Sequence, residues 1–404
     1  MDLQFVKGKP YFTEVNNIPN KYSYLDENIE TDIVIVGGGV TGAILAYYLS
    51  KSNIKVVLLE KSIIGYGSTS TTTALLQYEL DSTVRALEEY TSKENVIRSY
   101  RMGIRALEEI ERFVQDKGNN IDYIKRDTLL YTGKKVDIGE IYQEYIIRRE
   151  HGFDVSLINN TDDLFPFNIE AGVYGKGAGS EIDPYKFTHE LLKEAAKLGA
   201  KIYENTEVVK INYEEDYVKV ITKYDNEVIG KKIIAATGFN TKLFSDRSFG
   251  TTTNTFNIVT KPINNLKEYY NGALIRDNKN PYNYLRETVD NRIIIGGEDI
   301  NFIPDINNQK LIEEKYDILE QRLKTMFPDL DIEIEYKYCG AFTSTQDNLG
   351  FIGEDPKNRK LWYCLGYGAN GILFSINGGI MLSKLYYGEI DEYINLFKIN
   401  RFDK

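Results

Sequence analysis

One stretch near the start, DIVIVGGGVTGAILAYYLSKSNIKVVLLE at residues 32–60, restricts the possible folds more than any other. Residues 32–36 form a nearly continuous apolar run, the pattern of a strand covered on both faces. Glycines follow, then a helical stretch from about Thr41 to Ser50, then a second strand, KVVLLE, that ends at Glu60. Strand, turn, helix and strand in this order make a βαβ unit, so this part of the chain is expected to build a parallel sheet. Gly37, Gly39 and Gly42 fall on the spacing G-x-G-x-x-G between the first strand and the helix. Gly37 permits a tight turn, Gly39 lets backbone N–H groups approach a pyrophosphate, and Gly42 lets the helix lie close to the sheet. Val40 and Thr41 then open a helix whose N-terminal end faces the anion. Glu60, 18 positions after Gly42 and followed by Lys61, can accept from both hydroxyls of an adenosine ribose. A dinucleotide site is expected, and the glycine motif by itself leaves NAD and FAD both open.

Further along, residues 82–117 carry apolar side chains at helical spacing, and Gly118 is placed as a stop. Asp183 followed by Pro184 reads as an N-cap and first helical residue, and Gly199 ends that helix. Alternating runs at 207–211, 217–222 and 231–235 suggest a small antiparallel meander feeding a buried strand that ends at Ala236-Thr237-Gly238. Residues 245–340 mix strands (282–286, 292–295, 332–338) with one helix near 311–326, an α+β pattern unlike the start. The tail, 361–385, reads as a strand, a glycine turn and a strongly apolar helix.

Composition removes several classes. The 404 residues are 42% hydrophobic and 27% charged, with 49 Lys plus Arg against 60 Asp plus Glu, a formal net charge of −11. Disorder and a small disulfide scaffold are excluded, and the acidic balance opposes nucleic acid as a partner. No apolar run reaches the roughly 18–20 residues of a spanning helix, and MDLQFVKGKPYF lacks the apolar core of a signal peptide, so a cytoplasmic location is expected. Cys339, Cys364, His151 and His189 have no metal-ligand spacing, and no metal is expected.

Several segments together are similar to the D-amino-acid-oxidase-like (DAO) superfamily of FAD-dependent oxidoreductases. They are residues 32–61, the Ser/Thr-rich IIGYGSTSTTTALLQ (63–77), TEVVKI (206–211), IIAATG (233–238), YLRETVDNRIIIGGED (284–299) and LGYGANGILFSINGG (365–379). The resemblance covers nearly the whole chain and is strongest to the branch of glycine, sarcosine and γ-glutamylputrescine oxidases. It implies an α/β fold: a Rossmann-like, glutathione-reductase-like FAD-binding domain (1–80, 155–243 and 340–404). Interleaved with it is an α+β substrate domain on an antiparallel sheet (81–154 and 244–339). It also implies that Ser68, Thr69 and Ser70 lie near the pyrophosphate and ribityl chain, that the backbone at Val208 meets adenine, and that Thr237 and Gly238 approach the pyrophosphate from the other side. Gly368, Asn370, Gly371 and Ile372 would lead into a final helix whose positive end stabilises charge on the reduced flavin. Asn370 stands where family members commonly have histidine.

The implied reaction is hydride transfer from the C–N bond of an amine or amino acid, with oxygen or another electron acceptor closing the cycle. Arg286, in an apolar strand, is the candidate anchor for a substrate carboxylate, its alternative being a salt bridge with Glu287 or Glu298. Tyr284 and Tyr282 are candidates for the pocket wall, and Gln77 and Tyr78 for a position at the flavin ring. The family's carboxylate-clamping arginine aligns with Phe342 and its oxygen-activating lysine with Ile294, so a dehydrogenase is an open reading. Cys339 falls one residue from the position of covalent attachment in the sarcosine oxidase branch, on the opposite strand face. Non-covalent FAD is therefore favoured over a thioether. Two alternatives stand beside the amine reading: a flavin dehydrogenase of a hydroxy substrate such as glycerol 3-phosphate, and a redox-silent flavoprotein subunit. The oligomeric state is left open.

Overall fold

A computed structural model describes residues 6–403, apart from the side chains of Glu268 and Tyr269. It is built on two sheets. The first runs in the order Phe351–Asp355, Asn358–Leu365, Glu227–Ala235, Ile29–Val36, Val56–Leu59 and Lys201–Tyr203. Its neighbours are parallel except at the Phe351–Asp355 edge. Ile33, Val34 and Ile35 are fully buried, as a central parallel strand with both faces covered requires. The helix Val40–Lys51 is buried over most of its length, packed between the helices Pro184–Lys197 and Gly371–Tyr386. Asp183 caps Pro184–Lys197: its carboxylate accepts from the N–H groups of Tyr185 and Lys186, each at 2.9 Å. The meander is present as Val208–Tyr213 and Val218–Thr222, antiparallel to each other and to Glu227–Ala235.

The second sheet is mostly antiparallel. It runs Val6–Gly8, Ile334–Ser344, Thr251–Thr260, Ile293–Asn301, Tyr284–Glu287, Leu274–Asp277, Ile124–Thr132, Ala171–Glu181 and Leu75–Gln77. One pair, Leu274–Asp277 with Ile124–Thr132, is parallel. The helix Gln309–Met326 covers one face, where Ile312, Tyr316, Leu319 and Leu323 meet Phe256, Ile258, Leu285 and Ile295. Thr255, Arg276 and Tyr284 alternate with Phe256, Ile275 and Leu285 along their strands, so they point to the opposite face.

The division between the sheets departs from the expected boundaries. Leu75–Gln77, Ala171–Glu181 and the last five residues of Ile334–Ser344 lie in segments assigned to the FAD-binding domain, yet they pair into the second sheet. The helix Lys93–Lys117, assigned to the substrate domain, packs in the core of the first: Arg105 Nε donates to Asn377 Oδ1 at 2.7 Å and Asn377 Nδ2 donates to the Met102 carbonyl at 3.0 Å. Strand pairing and helix docking are long-range choices, and the composition of a segment does not encode them.

Candidate functional site

The two sheets enclose a cavity of about 1050 Å³. At one end lies the glycine turn. Gly37 has φ +114°, and a Cβ on Gly42 would overlap the Gly37 carbonyl oxygen, so only glycine lets the helix start this close to the strand. Gly37, Gly39, Val40 and Thr41 line the cavity, whereas Gly42 supports the turn from behind. Glu60 Oε2 accepts from Gly38 N at 2.7 Å and Oε1 from Ser62 N at 2.8 Å. Burial pushes this carboxyl up, and the two backbone donors oppose the shift. Each oxygen keeps a second lone pair for a further donor. Lys61 and Val208 line the same end.

In the middle sits the hydroxyl-rich turn Ser68–Thr71. Thr69 Oγ1 accepts from Val40 N at 2.9 Å and so fixes the turn against the start of the helix. Ser68 and Thr69 line the cavity; Ser70 does not, because its hydroxyl turns back to the Gly67 carbonyl at 2.8 Å. Across from them are Thr237 and Gly238, and Thr237 Oγ1 is buried with no hydrogen-bond partner. Gly368, Gly371 and Ile372 complete this wall. Asn370 does not reach it: its Nδ2 donates to the Glu79 carbonyl at 2.9 Å. One N–H of that turn, Ala369 N, donates to Asp81 Oδ2 at 3.1 Å.

The far end is walled by the second sheet. Gln77, Tyr282 and Tyr284 line it, with Thr255 and Tyr284 hydroxyls 3.2 Å apart. Tyr78 does not: it packs against Phe153 and Tyr100. Arg286 is also absent from the wall, which corrects the expected carboxylate anchor. Its Nε donates to the Thr73 carbonyl at 2.6 Å and its Nη2 to that of Ile182 at 2.9 Å. The N-terminal segment explains the difference, since Phe12 covers the guanidinium at 5.4 Å. The ion pair is with Glu181, at 3.5 Å, in place of Glu287 or Glu298.

Three polar groups at this end escaped the sequence reading: Arg276, Asp81 and Asp299. Arg276 pairs in register with Tyr284, so the two side chains share the cavity face. Asp299 is pushed up to about 6, first by burial and then by the charges of Asp81 and Glu298, while Thr255 opposes the shift. Burial likewise raises Asp81, and the Arg276 guanidinium counters it. For Arg276 and Asp299 the sequence signal was an ionisable residue inside or closing an apolar strand, as in ALIRD and IIIGGED, whereas Asp81 lies in a bend beyond the strand Leu75–Gln77 and carries no such signal.

Cys339 lies in the core with Phe256 and Tyr316, outside the cavity wall, and burial pushes its thiol up to about 11. Ile294 is buried with Tyr11, Phe12, Tyr185 and Tyr338.

A glycine turn, a strand-end carboxylate, a band of hydroxyls and a walled end, strung along one continuous cavity, define a dinucleotide-binding oxidoreductase fold. The family model for FAD dependent oxidoreductases (DAO) matches residues 32–385, and the chain belongs to that family. It is 23% identical over 391 residues to glycine oxidase of Bacillus licheniformis, covering 92% of this chain and 97% of that one. It is 25% identical over 387 residues to the mitochondrial dimethylglycine dehydrogenase of Homo sapiens, covering 89% of this chain and 43% of that protein. Its fold matches the crystal structure of L-proline dehydrogenase from P.horikoshii with a TM-score of 0.79 at 19% identity, covering 94% of this chain and 99% of that one. The protein is thus an FAD-dependent oxidoreductase, and the site's features fit that cofactor: the cradle at Gly37 and Gly42, the lone pairs of Glu60, and the unpartnered Thr237 hydroxyl. Among the described residues, no helix is long and apolar enough to cross a membrane.

Proposed function

We propose that this protein oxidises the C–N bond of a small amine or amino acid, giving an imine that water hydrolyses. Bound FAD would supply the two-electron acceptor for the hydride leaving the carbon next to nitrogen. Gly37, Gly39, Val40, Thr41, Glu60, Lys61, Ser68, Thr69, Val208, Thr237, Gly238, Gly368, Gly371 and Ile372 would hold it, with Gly42, Ser70 and Asn370 shaping the turns behind them. Tyr284, Tyr282 and Gln77 position the substrate and keep water from the reacting carbon.

One observation carries this reading. Asp299 opens on the far end of the cavity with an unpartnered Oδ1. A carboxylate there recognises an ammonium and takes its proton, leaving the neutral amine that hydride transfer requires. Two of the relatives carry names for chemistry on glycine and dimethylglycine, in line with an amine donor. A hydroxy substrate bearing a phosphate dianion fits less well, since one guanidinium and two carboxylates meet at that end. Anaerobic mixing of the FAD-loaded protein with panels of amines, amino acids and hydroxy acids tests the proposal. Loss of the yellow flavin absorbance with amines supports it; bleaching by hydroxy acids alone, or by nothing, overturns it.

A further inference from the structure

Arg276 is 4% exposed and lines the far end of the cavity. Its Nη1 donates to the Asp81 carbonyl oxygen, while Nε and Nη2 have no hydrogen-bond partner. Among the described residues no carboxylate oxygen lies within 4 Å of it; the Asp81 carboxylate acts on it only at longer range and is itself bonded to Ala369 N. A buried guanidinium with two idle donors is costly unless something arrives to fill them. The idle pair forms one edge of the fork. That edge is the one Arg126 uses on Glu181, where Nε and Nη2 each lie 3.0 Å from a different carboxylate oxygen. Tyr282 lies against the guanidinium, 5.8 Å from ring centroid to Cζ, and with the Asp81 carbonyl it sets the plane in which the fork is offered.

We infer that Arg276 is the carboxylate anchor of this site, gripping the anion side-on through Nε and Nη2, so that the substrate is an amino acid and not a simple amine. The anchor sits on the strand Leu274–Asp277, away from Phe342 and from Arg286. It rests on the amine reading above and narrows it: Asp299 meets the nitrogen end, Arg276 the carboxylate end, and the bound molecule is a dipole.

The test uses acetate and acetamide as probes of the FAD-loaded protein, followed by the change each produces in flavin absorbance. Acetate should perturb the spectrum saturably and acetamide should not. Arg276→Gln should weaken acetate by about 30-fold or more, and Arg286→Lys should leave it at the wild-type value. Equal acetate affinity in wild type and Arg276→Gln overturns the inference, as does an equal loss in Arg286→Lys. If Arg276→Gln fails to retain FAD, Arg276→Lys takes its place: it keeps the charge but not the fork, and unweakened acetate binding there is also contrary. A second measurement separates this inference from the reading beneath it. N-methylglycine should bleach the flavin far faster than N-methylethylamine at equal concentration. Equal rates would remove the anchor while leaving amine oxidation standing, whereas an Arg276-dependent acetate site with no bleaching by any amine would do the reverse.

Discussion

Arg286 and Glu181 form an ion pair, Nη1 to Oε2 3.5 Å, in which neither side chain is more than 3% exposed. Glu181 also holds Arg126, and Arg126 reaches Glu287 at 3.2 Å, so the four charges tie three strands of the second sheet together. Arg286 adds two backbone contacts, to Thr73 just after the hydroxyl-rich turn and to Ile182 just after the strand Ala171–Glu181, and so pins the two segments together. Its position is structural. Arg286→Leu leaves two carbonyls without their donors but leaves Glu181 with Arg126, so a loss of about 3 kcal/mol is expected. Urea unfolding of the FAD-loaded protein checks this. A change below about 1 kcal/mol would mean that water replaces the guanidinium readily.

The glycine turn admits a sharper test. Gly42→Ala drives a methyl group into the Gly37 carbonyl, and the helix Val40–Lys51 can only relieve it by moving off the strand. Overpacking of this kind costs about 1–3 kcal/mol, and here the displacement falls on the N–H groups nearest the pyrophosphate. Thermal melts with and without FAD should show a modest loss in the unliganded protein and a much larger loss of the stabilisation that FAD confers. FAD binding at wild-type strength would mean that the turn is not the cradle.

How much of this was legible beforehand depends on how local each feature is. The βαβ start and the Asp183-Pro184 cap are written in consecutive residues, and the structure places both within a residue or two of expectation. Ala171–Glu181 is different: its sequence, AGVYGKGAGSE, is poor in strand formers. Gly179 earns its place only through a partner, because a Cβ there would come within 2.7 Å of the Leu76 carbonyl and 2.8 Å of Leu274 Cδ1. The two arginines make the same point at the site. Arg276 and Arg286 both sit in short apolar strands on the same sheet face, and nothing in their flanks distinguishes them. Arg286 is paired with Ile294 and roofed by Phe12, 274 positions earlier in the chain, whereas Arg276 is paired with Tyr284 and left open to the cavity.

Asp299 gives a pH dependence with a definite sign. Its carboxyl is raised to about 6 from an ordinary value of 3.8, so between those two values the folded chain holds a proton that the unfolded chain has released. The unliganded fold therefore gains stability as pH falls through 6 and loses it as pH rises, and Asp299→Asn should flatten that part of the profile. Activity runs the other way. The ionised carboxylate is the form that meets an ammonium, so kcat/KM should fall below about pH 6 in the wild type. Parallel profiles for wild type and Asp299→Asn, in either measurement, would show that the titration belongs to another group.

Cys339 decides how the cofactor is held. It stands opposite Phe256 across one strand pair and Lys7 across the other, with its side chain in the core beneath the helix Gln309–Met326. Burial raises the thiol to about 11, so little thiolate exists near neutrality to attack any electrophile. The flavin should consequently be released in full when the protein is denatured with acid, the colour passing to the supernatant. Cys339→Ser should retain the same flavin content, at a stability cost of about 1–3 kcal/mol for placing a hydroxyl in an apolar setting. Colour that stays with the wild-type precipitate and disappears from that of Cys339→Ser would instead require the strand to turn its other face toward the cavity.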